Sequence, residues 1–146
     1  MRRMLLVILV LGLLGTATEL ILLKHYEDWK QIVPLVLIGL ALVSVLWHTV
    51  VPSASNVRVL QALMTLFLVS GPVGMALHYG ANSEFEREMD PSLTGYRLFT
   101  ESLSGATPLL APGTMVQLGL IGLVYTYRHP RRASAATDGR RQEWDV

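Results

Sequence analysis

Four apolar stretches constrain this chain more than any other feature: residues 4–23, 32–51, 59–78 and 111–127. A helix that crosses a bilayer needs roughly 20 mostly apolar residues. The first three stretches meet that length, and Leu109 and Leu110 extend the shorter fourth. Backbone groups in lipid must pair within their own segment, so such stretches read as helices rather than strands. The expected fold is all-α: a four-helix transmembrane bundle over residues 1–128, followed by a basic cytoplasmic tail at 129–146 that is disordered on its own. No polar stretch is long enough for a separate soluble domain.

Charge orients the bundle. Basic residues mark the cytoplasmic side. With the N-terminus inside, Arg2, Arg3, Arg58, Arg128, Arg131, Arg132, Arg140 and Arg141 are cytoplasmic, while only Lys24, Lys30, Arg87 and Arg97 lie outside. The outer segments also carry Glu27, Asp28, Glu84, Glu86, Glu88, Asp90 and Glu101. Both termini are therefore expected in the cytoplasm of a bacterial-type inner or plasma membrane. The first stretch has some marks of a signal peptide, with Arg2-Arg3 ahead of an apolar run and Gly15-Thr16-Ala17 resembling a cleavage site. The run continues through Leu20–Leu23, however, and retention is expected.

The polar segments hold local signals. Pro34 is placed in the first turn of the second helix, where a missing N–H costs little. Ser55 or Asn56 is expected to cap the third helix, and Pro72 to kink it. Asp90-Pro91 reads as an N-cap followed by a first-turn proline. Leu93, Tyr96, Phe99 and Leu103 then recur near helical spacing, so residues 91–104 are expected to form a short amphipathic helix on the outer surface, between the third and fourth spans, ending at Gly105.

Chemistry concentrates at the outer face. Glu19 lies within an apolar stretch, where a carboxylate costs roughly 2.5–3.5 kcal/mol on insertion scales. It is expected to face the bundle interior. His25 and His78 end two helices on the same side, with Glu84 close behind. Imidazole and carboxylate together suit a divalent metal, which makes Glu19, His25, His78 and Glu84 the candidate metal ligands. No paired-histidine motif supports them. Haem is disfavoured because both histidines stand at the very edge of the membrane. The chain contains no cysteine, which excludes thiol chemistry. A phosphate-binding glycine loop, a nucleophile elbow and a calcium loop are absent from the sequence, and the basic tail is too short and aromatic-poor to indicate nucleic acid. Asn82, Gln61 and Gln117 are read as interhelical hydrogen-bonding residues.

The leading expectation is a small non-enzymatic membrane protein, an accessory or assembly subunit of a homo-oligomer or larger membrane complex embedded in lipid. The alternative is a transport or redox component with a cation or ligand site at the outer face. A third reading is a small enzyme acting on a lipid or quinone.

Overall fold

A computed structural model describes residues 1–127; the basic tail lies outside them. The described residues are helical and contain no strand: α1 (Arg2–Leu22), α2 (Trp29–Val50), α3 (Ala54–Met89), α4 (Gly95–Leu103) and α5 (Gly113–Thr126). Three of these, α1, α2 and α3, are long and apolar enough to cross a membrane. At about 1.5 Å per residue, α5 spans only about 21 Å, short of the roughly 30 Å hydrocarbon core.

Contacts run in a closed ring. α1 packs on α2, α2 on α3, α3 on α5, and α5 back on α1. Inside the ring lie Leu9 and Leu13 of α1, Ile38, Ala41 and Val45 of α2, Leu60, Met64 and Phe67 of α3, and Met115, Leu118 and Tyr125 of α5. α3 and α5 approach most closely. A Cβ on Gly119 would stand 2.8 Å from the Met64 carbonyl oxygen, and one on Gly71 would meet the Val116 side chain and lie 3.1 Å from the Pro112 carbonyl oxygen. Small residues allow this separation, and in lipid it is packing contact rather than water exclusion that holds helices together.

The helix boundaries depart from the sequence expectations in three places. α2 begins at Trp29, not near Ile32, because Asp28 is extended and the Gln31 side chain folds back to accept the backbone N–H of Glu27 at 3.0 Å. Pro34 therefore falls in the second turn, and it deprives the Lys30 carbonyl of a helical partner at an exposed position. Ser53, rather than Ser55 or Asn56, caps α3 and accepts the Asn56 N–H at 3.2 Å. Asn56 is buried, and its amide donates to the carbonyls of Val51 and Trp47, locking the α2–α3 turn.

The third departure is the largest. α3 continues unbroken through Pro72 and through the whole charged run to Met89. Ala81, Glu84, Glu86, Arg87 and Glu88 are good helix formers, and Arg87 in the last turn opposes the negative end of the helix dipole. A helix of 36 residues is about 54 Å long, so it cannot lie wholly within the hydrocarbon. Asp90 ends α3 rather than starting α4: it precedes a proline and adopts the extended backbone that this favours. Its carboxylate accepts the Ser92 N–H at 2.9 Å and the Ser92 hydroxyl at 2.6 Å.

α4 consequently starts at Gly95, four residues later than expected at Pro91, with Thr94 as its N-cap residue. The chain turns into it through Gly95 at φ 56, a conformation that glycine adopts without steric cost. Leu98 and Ser102 are the buried positions of α4, and Leu93 just before it is also buried, while Tyr96 is 79% exposed, Phe99 46% and Leu103 42%. Of the four apolar residues expected against the bundle or the lipid, Leu93 packs inward and Phe99 places its ring 6.0 Å from that of Tyr79.

Candidate functional site where α1 ends against α3

Where α1 ends, the backbone makes a Schellman turn. Lys24 takes a left-handed conformation at φ 53. Its N–H donates to the Ile21 carbonyl at 3.0 Å, and the His25 N–H donates to the Leu20 carbonyl at 2.8 Å. These paired bonds satisfy the last carbonyls of the helix. Glycine is usual at such a position, yet here a lysine is held there. The turn fixes the His25 backbone against the end of α1 and aims its imidazole toward α3.

There it meets His78. The two ring centroids are 6.3 Å apart with the planes at 61°. His78 is itself positioned from the other side, by a 2.8 Å contact between its Nδ1 and the carbonyl oxygen of Pro108 in the α4–α5 connection. A carbonyl only accepts, so Nδ1 carries the proton, and Nε2 keeps its lone pair when the ring is neutral. Three chain segments thus converge on the pair: the end of α1, the middle of the long α3, and the loop before α5. Both rings are half-buried. Burial pushes the His25 pKa below its ordinary value, and the neighbouring His78 pushes it further in the same direction. Two imidazoles this close resist carrying two charges.

The remaining candidate ligands are elsewhere. Glu19 and Glu84 are both exposed. Glu84 instead lines a shallow surface groove of about 590 Å³ along the C-terminal stretch of α3, with Tyr79, Gly80, Ser83, Arg87 and Glu88. Among the described residues, no group of three or more histidine, aspartate or glutamate side chains is placed to hold a metal ion. The expected four-residue cluster reduces to two histidines in contact. Glu19 does not face the bundle interior as its sequence position suggested; α1 turns only Leu9 and Leu13 fully inward, and Glu19 lies on the exposed side.

Asn82 supports the site from behind. It is 1% exposed. Its amide nitrogen donates to the carbonyls of Ser102 at 3.0 Å and Thr107 at 2.8 Å, while its Oδ1 accepts the Thr107 N–H at 2.9 Å. One side chain on α3 therefore holds both the end of α4 and the strand of loop leading to Pro108. Gly105 makes room for it, since a Cβ there would stand 2.6 Å from the Asn82 side-chain carbonyl carbon. The sequence marked Asn82 as an interhelical residue, but nothing in the pattern identified the loop backbone as its partner or Pro108 as the partner of His78.

A third histidine, this one buried, lies at the opposite end. His48 on α2 is buried against Tyr125 of α5, with ring centroids 6.0 Å apart and planes nearly perpendicular. Ser44, one turn away, is buried on the same face. The spacing of four between Ser44 and His48 is the sequence signal that the two share a helix face. Arg2 adds a link between the start of α1 and the end of α5, donating to the Tyr127 carbonyl at 3.0 Å. Comparison with protein families, curated proteins and solved structures finds no match to this chain.

Proposed function

We propose that this chain is a small polytopic membrane protein in which α5 completes a four-helix membrane bundle, and that it works by assembling with further copies of itself or with other membrane subunits. The observation that carries the assembly reading is Glu19. It sits in the last turn of a membrane-length helix that carries no other charge after Arg3, and on the exposed side of it. An outward carboxylate at that depth is unfavourable against lipid tails, and a polar group on a neighbouring subunit relieves the cost. The support for α5 as a span is its place in the ring. The loop before it approaches the His78 level of α3, and Pro108 and Pro112 reduce the number of backbone donors that membrane depth would leave unpaired.

Orientation follows from charge: Arg2, Arg3 and Arg58 inside, the α3 extension and α4 outside. Native mass spectrometry of the detergent-released protein tests assembly directly. The expected wild-type species is an oligomer or a defined complex, and Glu19→Leu shifts its distribution while Glu19→Gln shifts it less. A monomeric wild type whose mass is unaffected by Glu19→Leu would refute the reading. Single cysteines at Ala106 and Ser134, probed in intact cells with an impermeant thiol reagent, test the orientation. Labelling at 134 but not 106 reverses it.

A further inference from the structure

The pairing of His25 with His78 has a geometry that bears on which ligand it takes. We propose that the two imidazoles form a two-coordinate site for a closed-shell monovalent transition-metal cation of the copper(I) class, at the outer mouth of the bundle. A metal–imidazole bond is about 2 Å, and a ring nitrogen lies about 1.15 Å from its own centroid. Two imidazoles bound in line therefore place their centroids about 6.3 Å apart, whereas tetrahedral binding brings them to about 5.2 Å. The observed separation is 6.3 Å. The rings now meet edge to face at 61°, so binding requires His25 to turn about its side-chain bonds and bring a nitrogen toward His78.

The donor set selects against other cations. Zinc, manganese and iron(II) want four to six ligands, commonly with carboxylates. Here no third histidine or carboxylate joins the pair among the described residues. The segment from Ser102 to Tyr127, which supplies Pro108, contains no acidic or basic side chain. A low-coordinate d10 cation needs none. His78 already has the support typical of a metal-bound histidine: one ring nitrogen engaged by a backbone carbonyl, the other left as the ligand atom. Partial exposure of both rings leaves a route for the ion from the outer solution. Binding is reversible coordination with no change in oxidation state.

The test uses the full-length protein in detergent, kept anaerobic with ascorbate, and copper(I) supplied as its bicinchoninate complex. Wild type is expected to withdraw one equivalent. His25→Gln and His78→Gln are each expected to weaken that binding at least 100-fold, while Glu19→Gln and Glu84→Gln retain it. Zinc in tenfold excess is expected not to compete. X-ray absorption of the loaded wild type gives a reading that needs no variant: two nitrogen donors and no sulfur. Failure of wild type to take copper(I), retention by both histidine variants, displacement by zinc, or a sulfur shell would each overturn the proposal. A Soret band in the protein as isolated would also overturn it and assign the pair to haem. Because these readings use the solubilised chain whatever its stoichiometry, they succeed or fail independently of assembly.

Discussion

Asn82→Ala is the most direct probe of how α4 and the following loop are held to α3. The wild-type side chain makes three hydrogen bonds, all to loop or helix-end backbone: the carbonyls of Ser102 and Thr107 and the N–H of Thr107. A typical hydrogen bond contributes a net 0.5–1.5 kcal/mol, roughly, and an unsatisfied buried partner costs about 1–3 kcal/mol. Asn82 is almost wholly buried, so water replaces its bonds poorly at first. The expected loss is about 3 kcal/mol, lowered to the extent that the loop moves out to meet solvent. Asn82→Asp sharpens the test. It keeps the shape but turns an ionised oxygen toward two carbonyls, so at neutral pH it should destabilise more than Asn82→Ala and recover in acid as the carboxyl gains a proton. Thermal unfolding in detergent measures the total, and hydrogen exchange at the Thr107 amide measures the local part. If Asn82→Ala costs under about 1 kcal/mol and Thr107 exchanges at its wild-type rate, Asn82 is not what fastens α4 and the loop to α3.

Lys24→Gly should stabilise the protein by about 0.5–1 kcal/mol, because the left-handed backbone at φ 53 costs a lysine more than the added chain entropy costs a glycine; denaturation in mixed micelles reads it, and a loss would mean that the lysine side chain contributes there. Gly119→Ala should destabilise by about 1–3 kcal/mol, since its Cβ meets the Met64 backbone oxygen rather than a side chain that can move, whereas Gly39→Ala, with open space around it, should be neutral or mildly stabilising. Ser92→Ala should raise the Asp90 pKa, which is held low first by the Ser92 hydroxyl and then by its N–H. The sign follows from linkage: the depressed carboxyl contributes stability above its ordinary value of 3.8 that is lost as pH falls through the folded pKa. A carboxyl NMR titration of Asp90 in the two proteins reports the shift, and an unchanged value would show that the hydroxyl does not bond the carboxylate in solution.

Apolar length was enough to establish helices, because a chain with few charges and long apolar runs has no other way to pair its backbone in lipid. Charge placement pointed to the end where His25 and His78 lie, since both follow directly from where apolar runs stop. The contact between the histidines was not legible. It depends on a Schellman turn through a non-glycine residue and on a loop carbonyl near in space but 30 residues from His78. The phase of α4 was also beyond the sequence. Asp90-Pro91 carries an N-cap pattern that serves a helix end and a turn equally well, and only the grip of Asn82 on Ser102 and Thr107 decides which face turns inward. Glu19 shows the same division. Its depth could be counted along the helix, but whether it points to the bundle or away is a rotation set by Leu9 and Leu13 packing inward. Periodicity reports which residues share a helix face; the neighbouring helices determine which face is covered.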